Sequence, residues 1–359
     1  MSDQLLTISI PTYRRVDLLE RCLASIVPHE ESTWESIELV VSDNSPESDV
    51  EDCVERFSRS WTSPLRYHRN PPGTGAVRNF NHCIERARGR YNLMLHDDDY
   101  LLPGAVDTIV RTLRAADHAR DKVLLFGVQD VDLSGTVIRR HRFAEDEFLS
   151  PPSAMHRLLR NSSFVRVPGL VVENAAYRAV GGFKVSAHTT CDLDMSVRLF
   201  SRFGVRCLPQ LAAAYTVHPG GITTTVFTPE TIARTVEAID VARNSGVLDQ
   251  PTIDRLQRRF FHQFILAGTW RALKRHDRRA AREVYALFAL PEIRAQGLSL
   301  YWLPVRFAFA ILSGALWRTD PSRSAADNAS YDDNGRAPSG WRGHDGEAQR
   351  SSTKTTREW

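Results

Sequence analysis

Lysine is nearly missing from this chain. Lys122, Lys184, Lys274 and Lys354 are the only ones among 46 basic residues, so arginine carries almost all of the positive charge. The net charge is only +3, too small to mark a nucleic-acid binder, and no nucleic-acid partner is expected. The cysteines, Cys22, Cys53, Cys83, Cys191 and Cys207, are odd in number and form no Cys-x-x-Cys pair. That excludes a disulfide framework and fits reduced thiols in the core of a cytoplasmic protein. The first residues, MSDQLLTISIPTY, lack a basic region followed by a long apolar run, so no secretory signal is expected. The sequons at Asn161 and Asn328 then carry no glycan. The glycine-containing stretch GTGAVRN lacks the Lys-Ser or Lys-Thr of a P-loop, which excludes that kind of phosphate cradle.

What is present is the composition of a globular protein, 42% apolar and 25% charged over 359 residues. LLTISIP (5–11), IELVVSD (37–43), LRYHRN (65–70), YNLMLH (91–96) and KVLLFGVQ (122–129) read as strands. Helical periodicity fills the intervals at 16–27, after residue 45, at 75–89 and from Pro103 to about 117. This alternation predicts an α/β fold with a parallel sheet, whose ligand site lies at the carboxyl ends of the strands. Beyond residue 150 the spacing predicts a helix near 153–161, a strand at 167–173, a turn at Gly181-Gly182, a helix from Asp192 to Phe203 and a strand at 211–218. Residues 228–318 read as mostly helical. From Asp320 onward the chain is rich in Ser, Arg, Asp and Gly, and a disordered tail is expected over 320–359.

One stretch conflicts with its surroundings. NLMLHDDDYLLP (92–103) sets Asp97, Asp98 and Asp99 between two apolar runs, without the Gly, Asn or Pro that a solvated turn would place beside them. Something cationic is needed to compensate three adjacent charges at a strand end.

SIPTYRR with LLERCLASI, then IELVVSDNS, GTGAVRNFNHCIERARGRYNLMLHDDDYLLP, VGGF, CDLDMSVRL and YTVHPGG resemble, in order and approximate spacing, the family 2 glycosyltransferases of the GT-A fold. The resemblance covers roughly residues 5–225. It implies a Rossmann-like sheet flanked by helices, a nucleotide-binding half over about 1–130 and an acceptor half over about 131–225. A helical, basic extension then covers 226–319. The implied reaction is inverting transfer of a sugar from a UDP- or dTDP-linked donor, assisted by Mn²⁺ or Mg²⁺. The implied acceptor is a hydroxyl of a lipid-linked glycan, an envelope polysaccharide or a secondary metabolite.

By the same resemblance Pro11, Thr12, Tyr13 and Arg14 receive the nucleotide, with the Tyr13 ring offered to the base. Asp43 matches the acid that accepts the imide N–H of a pyrimidine, although an Asx turn would use the same letters. Arg78 is a candidate for the donor phosphates, its fork and fixed charge being suited to that contact. Asp97 matches a ribose contact, Asp98 the metal-proximal carboxylate that also touches the donor, and Asp99 the next metal ligand. His96 stands where the family often has an acid and is expected to bond within the aspartate loop. His218 matches a late histidine that completes the metal or diphosphate site in some relatives. Asp192 holds the place of the general base, with Cys191 where the family has Glu; the other reading of Asp192 is a helix cap. Asp194 is expected to pair with Arg198 one helical turn on.

Two other functions use similar parts. A sugar-phosphate nucleotidyltransferase would carry a glycine-rich basic loop after the first strand, where this chain has PTYRRV. A non-catalytic, membrane-bound nucleotide-sugar scaffold would not need Asp192. Residues 255–318 hold twelve basic side chains against Asp277, Glu283 and Glu292. Within them LSLYWLPVRFAFAILSGALW (298–317) is interrupted by Pro304 and Arg306, which predicts a helix lying on an anionic membrane surface, not spanning it. A peripheral position on the inner face of the cell membrane would follow. Packing as core is the other reading.

Overall fold

The computed structural model describes residues 4–161, 163–218, 226–297 and 300–314. The first half alternates as β1 (Leu6–Thr12), α1 (Val16–Ala24), α2 (Glu31–Ser36), β2 (Ile37–Asp43), α3 (Asp49–Ser58), β3 (Leu65–Arg69), α4 (Ala76–Arg86), β4 (Tyr91–Met94), β5 (Tyr100–Leu101), α5 (Ala105–Arg114) and β6 (Val123–Val131). β1 and β2 are buried at every position, as strands covered on both faces must be. The helix predicted from Pro103 begins two residues later, because Gly104 adopts a left-handed φ of 73° and turns the chain first.

The second half continues with β7 (Val137–His141), β8 (Glu147–Leu149), α6 (Pro151–Arg160), β9 (Leu170–Glu173), α7 (Asn174–Ala179), α8 (Cys191–Phe203) and β10 (Val205–Thr216). Among the described residues the helices α9 (Pro229–Asn244), α10 (Gln250–Lys274), α11 (Arg278–Ala286), α12 (Pro291–Arg294) and α13 (Leu303–Ser313) follow. β10 starts well before the strand predicted at 211–218. Its pairing with β6 shifts register twice between Leu208 and Ala213, and Pro209 falls in that irregular stretch, where a missing N–H is tolerated.

The sheet order is β3-β2-β1-β4-β9-β6-β10-β5, with β7 on β6 and β8 on β10. β3, β2, β1 and β4 are parallel, as expected. The whole sheet is mixed, however, because β9 runs antiparallel between β4 and β6, and β5 antiparallel to β10. The sequence LVVE is buried on both faces, so its apolar run reads the same in either direction.

Alternation along the strands separates two cores. Leu93, Leu124 and Phe126 face α1, α3 and α5 in one cluster; Met94, Val123 and Leu125 face α4, α6 and α8 in the other. The second cluster also takes in Ile232, Ile239, Phe260, Phe261, Ile265 and Phe288 of the C-terminal helices. Met1–Trp317 form one compact unit, and the tail expected over 320–359 lies outside the described residues. All five cysteines are buried and unbridged.

Candidate functional site

Register brings the site together. Leu6 to Thr12 pair in step with Ile37 to Asp43, and Ser9 stands opposite Met94, so Thr12, Asp43 and the loop after β4 emerge along one edge. There the Thr12 hydroxyl donates to Asp97 at 2.8 Å and the Tyr13 N–H at 3.3 Å. Arg15 spans two of the aspartates, 3.3 Å from Asp97 and 2.7 Å from Asp98. Arg21, inside α1, donates to the Asp98 carbonyl at 2.7 Å and to the Thr216 hydroxyl at 2.8 Å. The Asp98 oxygen that Arg15 meets, Oδ2, also lies 3.0 Å from His218 Nε2, from the segment just after β10. The cations that the triple aspartate requires are therefore Arg15 and Arg21, and His218 adds a hydrogen-bonding partner.

The three carboxylates differ in state. Burial and the neighbouring Asp98 push the Asp97 carboxyl above its ordinary range. Burial works against charge at Asp98 too, but His96, the His218 hydrogen bond and Arg15 outweigh it and hold that carboxyl low. Asp99 is fully buried; its Oδ1 accepts the Thr216 N–H at 2.9 Å, while its Oδ2 has no partner. Burial and then Asp98 push Asp99 well up. His96, Asp98 and Asp99 each offer a ligand atom within 4.8 Å of the others. A buried carboxylate oxygen without a donor, beside a second carboxylate and an imidazole, suits a hard divalent cation. The geometry thus brings Asp98, Asp99 and His218 together and adds His96, whose ring also stacks on Phe80 at 5.3 Å.

The nucleotide side is less uniform. Pro11 and Thr12 are buried at the end of β1, and Tyr13 is 51% exposed, with the Arg14 guanidinium 5.2 Å from the centre of its ring. Arg14 has a left-handed φ of 61° and turns outward to Glu47 at 2.8 Å, so it is not brought to the aspartates; its neighbour Arg15 is. Asp43 is fully buried and accepts the Ser45 N–H and the Tyr67 hydroxyl, both at 2.7 Å. The Asx turn that the letters allowed is therefore present. Burial and the bond to Asp43 raise the Tyr67 hydroxyl to about 12. Arg78 is exposed on the first turn of α4 and has no ion pair among the described residues.

Several residues of this edge carried no sequence signal. Asn70 donates to Ser42, Asn44 and Asn79, and Asn79 donates to the Ser42 carbonyl, lacing the ends of β2, β3 and α4. Arg15 and Arg21 are two arginines among many, and only their contacts distinguish them.

Asp192 lies in the first turn of α8. Its side chain is open to solvent yet walled by protein, and that lost solvation raises its carboxyl. The Leu193 N–H, donating at 2.8 Å, and the field of His96 oppose the rise. Thr190 is the N-cap of α8 and no side-chain cap bond is made there, so Asp192, inside the first turn, accepts its neighbour's N–H without being the helix cap. Asp194 is different: it is buried and bound by Arg198 at 2.9 Å, and Arg198 also donates to the Gly182 carbonyl, which fixes the Gly181-Gly182 turn.

An α/β sheet whose strand ends present an aromatic platform and a carboxylate cluster fit for a cation, with a partly desolvated carboxylate near it, has the GT-A architecture of nucleotide-sugar transferases. The chain matches, over residues 7–179, the family described as Glycosyl transferase family 2. It is 29% identical over 212 residues to an uncharacterized protein of Mycobacterium tuberculosis, covering 57% of this chain and 65% of that one. It is 29% identical over 111 residues to the GalNAc(5)-diNAcBac-PP-undecaprenol beta-1,3-glucosyltransferase of Campylobacter jejuni, covering 30% of this chain and 33% of that one. The chain thus spans less than two thirds of the length of these relatives. In fold it is similar to S. aureus TarS 1–349 in complex with UDP-GlcNAc, with a TM-score of 0.59 and 14% identity over 88% of this chain and 92% of that one.

Proposed function

We propose that the chain is a metal-dependent, inverting glycosyltransferase that moves a sugar from a UDP- or dTDP-linked donor to an acceptor hydroxyl on a glycan or lipid-linked glycan. Residues 1–225 form its catalytic region and 226–319 its extension, the whole held peripherally at a membrane. The observation that carries this reading is the unpartnered Oδ2 of Asp99, buried beside Asp98 and His96, with Asp192 near enough for His96 to act on its carboxyl. UDP-GlcNAc in the TarS complex and the undecaprenol-linked substrate of the Campylobacter relative support the donor and acceptor classes.

Thr12, Tyr13 and Asp97 line the nucleoside position, with Asp43 and Tyr67 behind them. Asp98 and Asp99, with His96 or His218, would hold a Mg²⁺ or Mn²⁺, which would supply positive charge where the diphosphate departs. Asp192 takes the proton of the acceptor hydroxyl while that oxygen bonds to the anomeric carbon and the bond to the diphosphate breaks. One displacement from the opposite face inverts the centre. Arg15 bridges Asp97 and Asp98, opposing the upward push on the first and helping to hold the second low.

Thermal unfolding with UDP, dTDP, GDP and their sugar conjugates, each with and without Mn²⁺, tests this. A ligand at a hundredfold its Kd adds about 2.7 kcal/mol to stability. Uridine or thymidine diphosphates should raise the Tm, more so with Mn²⁺. No response to any nucleotide diphosphate would overturn the reading.

A further inference from the structure

α13 is apolar on two sides, and only one is covered. It lies in a groove between α10 and α11 and runs in the same direction as α10: Trp302 stacks by His262 at 5.5 Å, and Phe309 meets Trp270 at 6.2 Å. The Tyr285 hydroxyl of α11 donates to the Arg306 carbonyl at 2.8 Å, and the Arg306 guanidinium lies 4.1 Å from the Phe288 ring. Ala310 and Ser313 are buried in the same groove. The opposite side points to solvent with Tyr301 77%, Phe307 62%, Leu312 52% and Ile311 50% exposed. Soluble surfaces seldom carry such a run of large apolar side chains without using it.

Charge flanks this face. Arg255, Arg258 and Arg259 share one side of α10 and, with Tyr301 and Trp302, line a cavity of about 190 Å³. None of the three has a carboxylate partner among the described residues, and the Arg258 Nε is buried with no acceptor. Arg160 of α6 joins the patch through its carbonyl, which accepts from Arg259 at 3.3 Å. Burial, then Arg160, Arg255, Arg157 and Arg259, hold His156 of α6 below its ordinary value, so the arginines of two helices act on one spot. At the other end Trp270 is exposed beside Lys274, whose ammonium lies 5.6 Å from the indole.

We propose that this face docks on an anionic bilayer: the outer side of α13 enters the acyl boundary, and a lipid headgroup phosphate sits in the cavity of Arg255, Arg258 and Arg259. Exposed tyrosine and tryptophan at the rim and arginine without counter-ions are the chemistry of such an interface. α13 has eleven residues, and no described helix is long and apolar enough to cross a membrane. The face therefore lies on the surface. This deepens the peripheral location proposed above and rests on no step of the transfer chemistry.

The full chain is co-sedimented with phosphatidylcholine vesicles with and without phosphatidylglycerol, beside the variants Phe307→Ser/Ile311→Ser and Arg255→Glu/Arg259→Glu. The parent should pellet with the anionic vesicles, and each variant should partition about tenfold less or worse. The Tm rise with UDP, unchanged in both variants, shows that they remain folded and separates this inference from the donor site. Equal partitioning of parent and variants, or none by the parent, overturns it. So does a rise in Tm with inorganic phosphate but no vesicle binding, which would mean a free-anion site. A dimer that Phe307→Ser/Ile311→Ser dissociates, without vesicle binding, would assign the face to a second copy and overturn it equally.

Discussion

Asp97, Asp98 and Asp99 are neighbours in the chain, yet each meets a different environment: a hydroxyl and a backbone N–H, an arginine with an imidazole, and a buried site with one oxygen unmatched. Asp98→Asn should therefore remove the Mn²⁺-dependent part of the donor-induced Tm rise while leaving the protein folded; an unchanged Mn²⁺ response would remove Asp98 from the metal site. Asp192 belongs to α8. Asp192→Asn should lower the chemical step roughly 10²–10⁴-fold with donor binding nearly unchanged. Because its carboxyl is raised and must be deprotonated to act, activity of the parent should fall as pH falls through a value above the ordinary carboxylate, near 4. That acid limb should vanish in the variant. A loss of thermal stability in proportion to activity would instead make Asp192 chiefly a support of the first turn of α8.

Elements are joined by contacts whose failure is measurable separately from activity. Gly204 ends α8 at φ 70° and turns directly into β10; a Cβ there would collide with the Leu149 carbonyl oxygen. Gly204→Ala adds left-handed strain to that collision, and a loss on the order of 3 kcal/mol is expected in chemical denaturation. Asp130 of β6 holds His141 of β7 at 2.9 Å and Arg166, ahead of β9, at 3.0 Å. Burial opposes its charge, but the bonds from His141 and Arg166 prevail and lower it to about 2. A depressed carboxyl stabilises the fold above its unfolded value, and the contribution, about 2 kcal/mol, disappears as pH falls from about 4 toward 2. In urea melts over this acid window Asp130→Asn should show a shallower loss of stability with falling pH than the parent. Identical slopes would show that the Asp130 bonds do not contribute.

For the whole molecule the consequence lies in the shared core. Ile232, Ile239, Phe260, Phe261 and Ile265 pack in one cluster with Met155, Leu158, Met195 and Phe200 of the catalytic region. A chain ended after residue 225 or 250 would expose that side of α6 and α8 to water, at roughly 25 cal/mol for each Å² of apolar surface. It should aggregate or melt without cooperativity, which scanning calorimetry would detect; a sharp, parent-like transition would show that the extension is dispensable for folding.

Much of the local structure was legible from the chain itself. The five early strands, the helices between them, the buried thiols and the placement of three aspartates at a strand end follow from apolar periodicity and from breakers such as Gly89 and Pro103, which act within a few residues. The pairing of Asp194 with Arg198 was legible for the same reason, since helix geometry sets contacts four residues apart. Only the tertiary structure decided the direction of β9, because a strand buried on both faces has no polar side to mark its register. It also decided which cations meet the aspartates. Arg14 and Arg15 are equivalent as letters, and the left-handed turn at Arg14 sends one to Glu47 and the other to Asp98. His218 reaches the same carboxylate from 120 residues away, a contact set by the pairing of β10 with β6 and β5 and by nothing local.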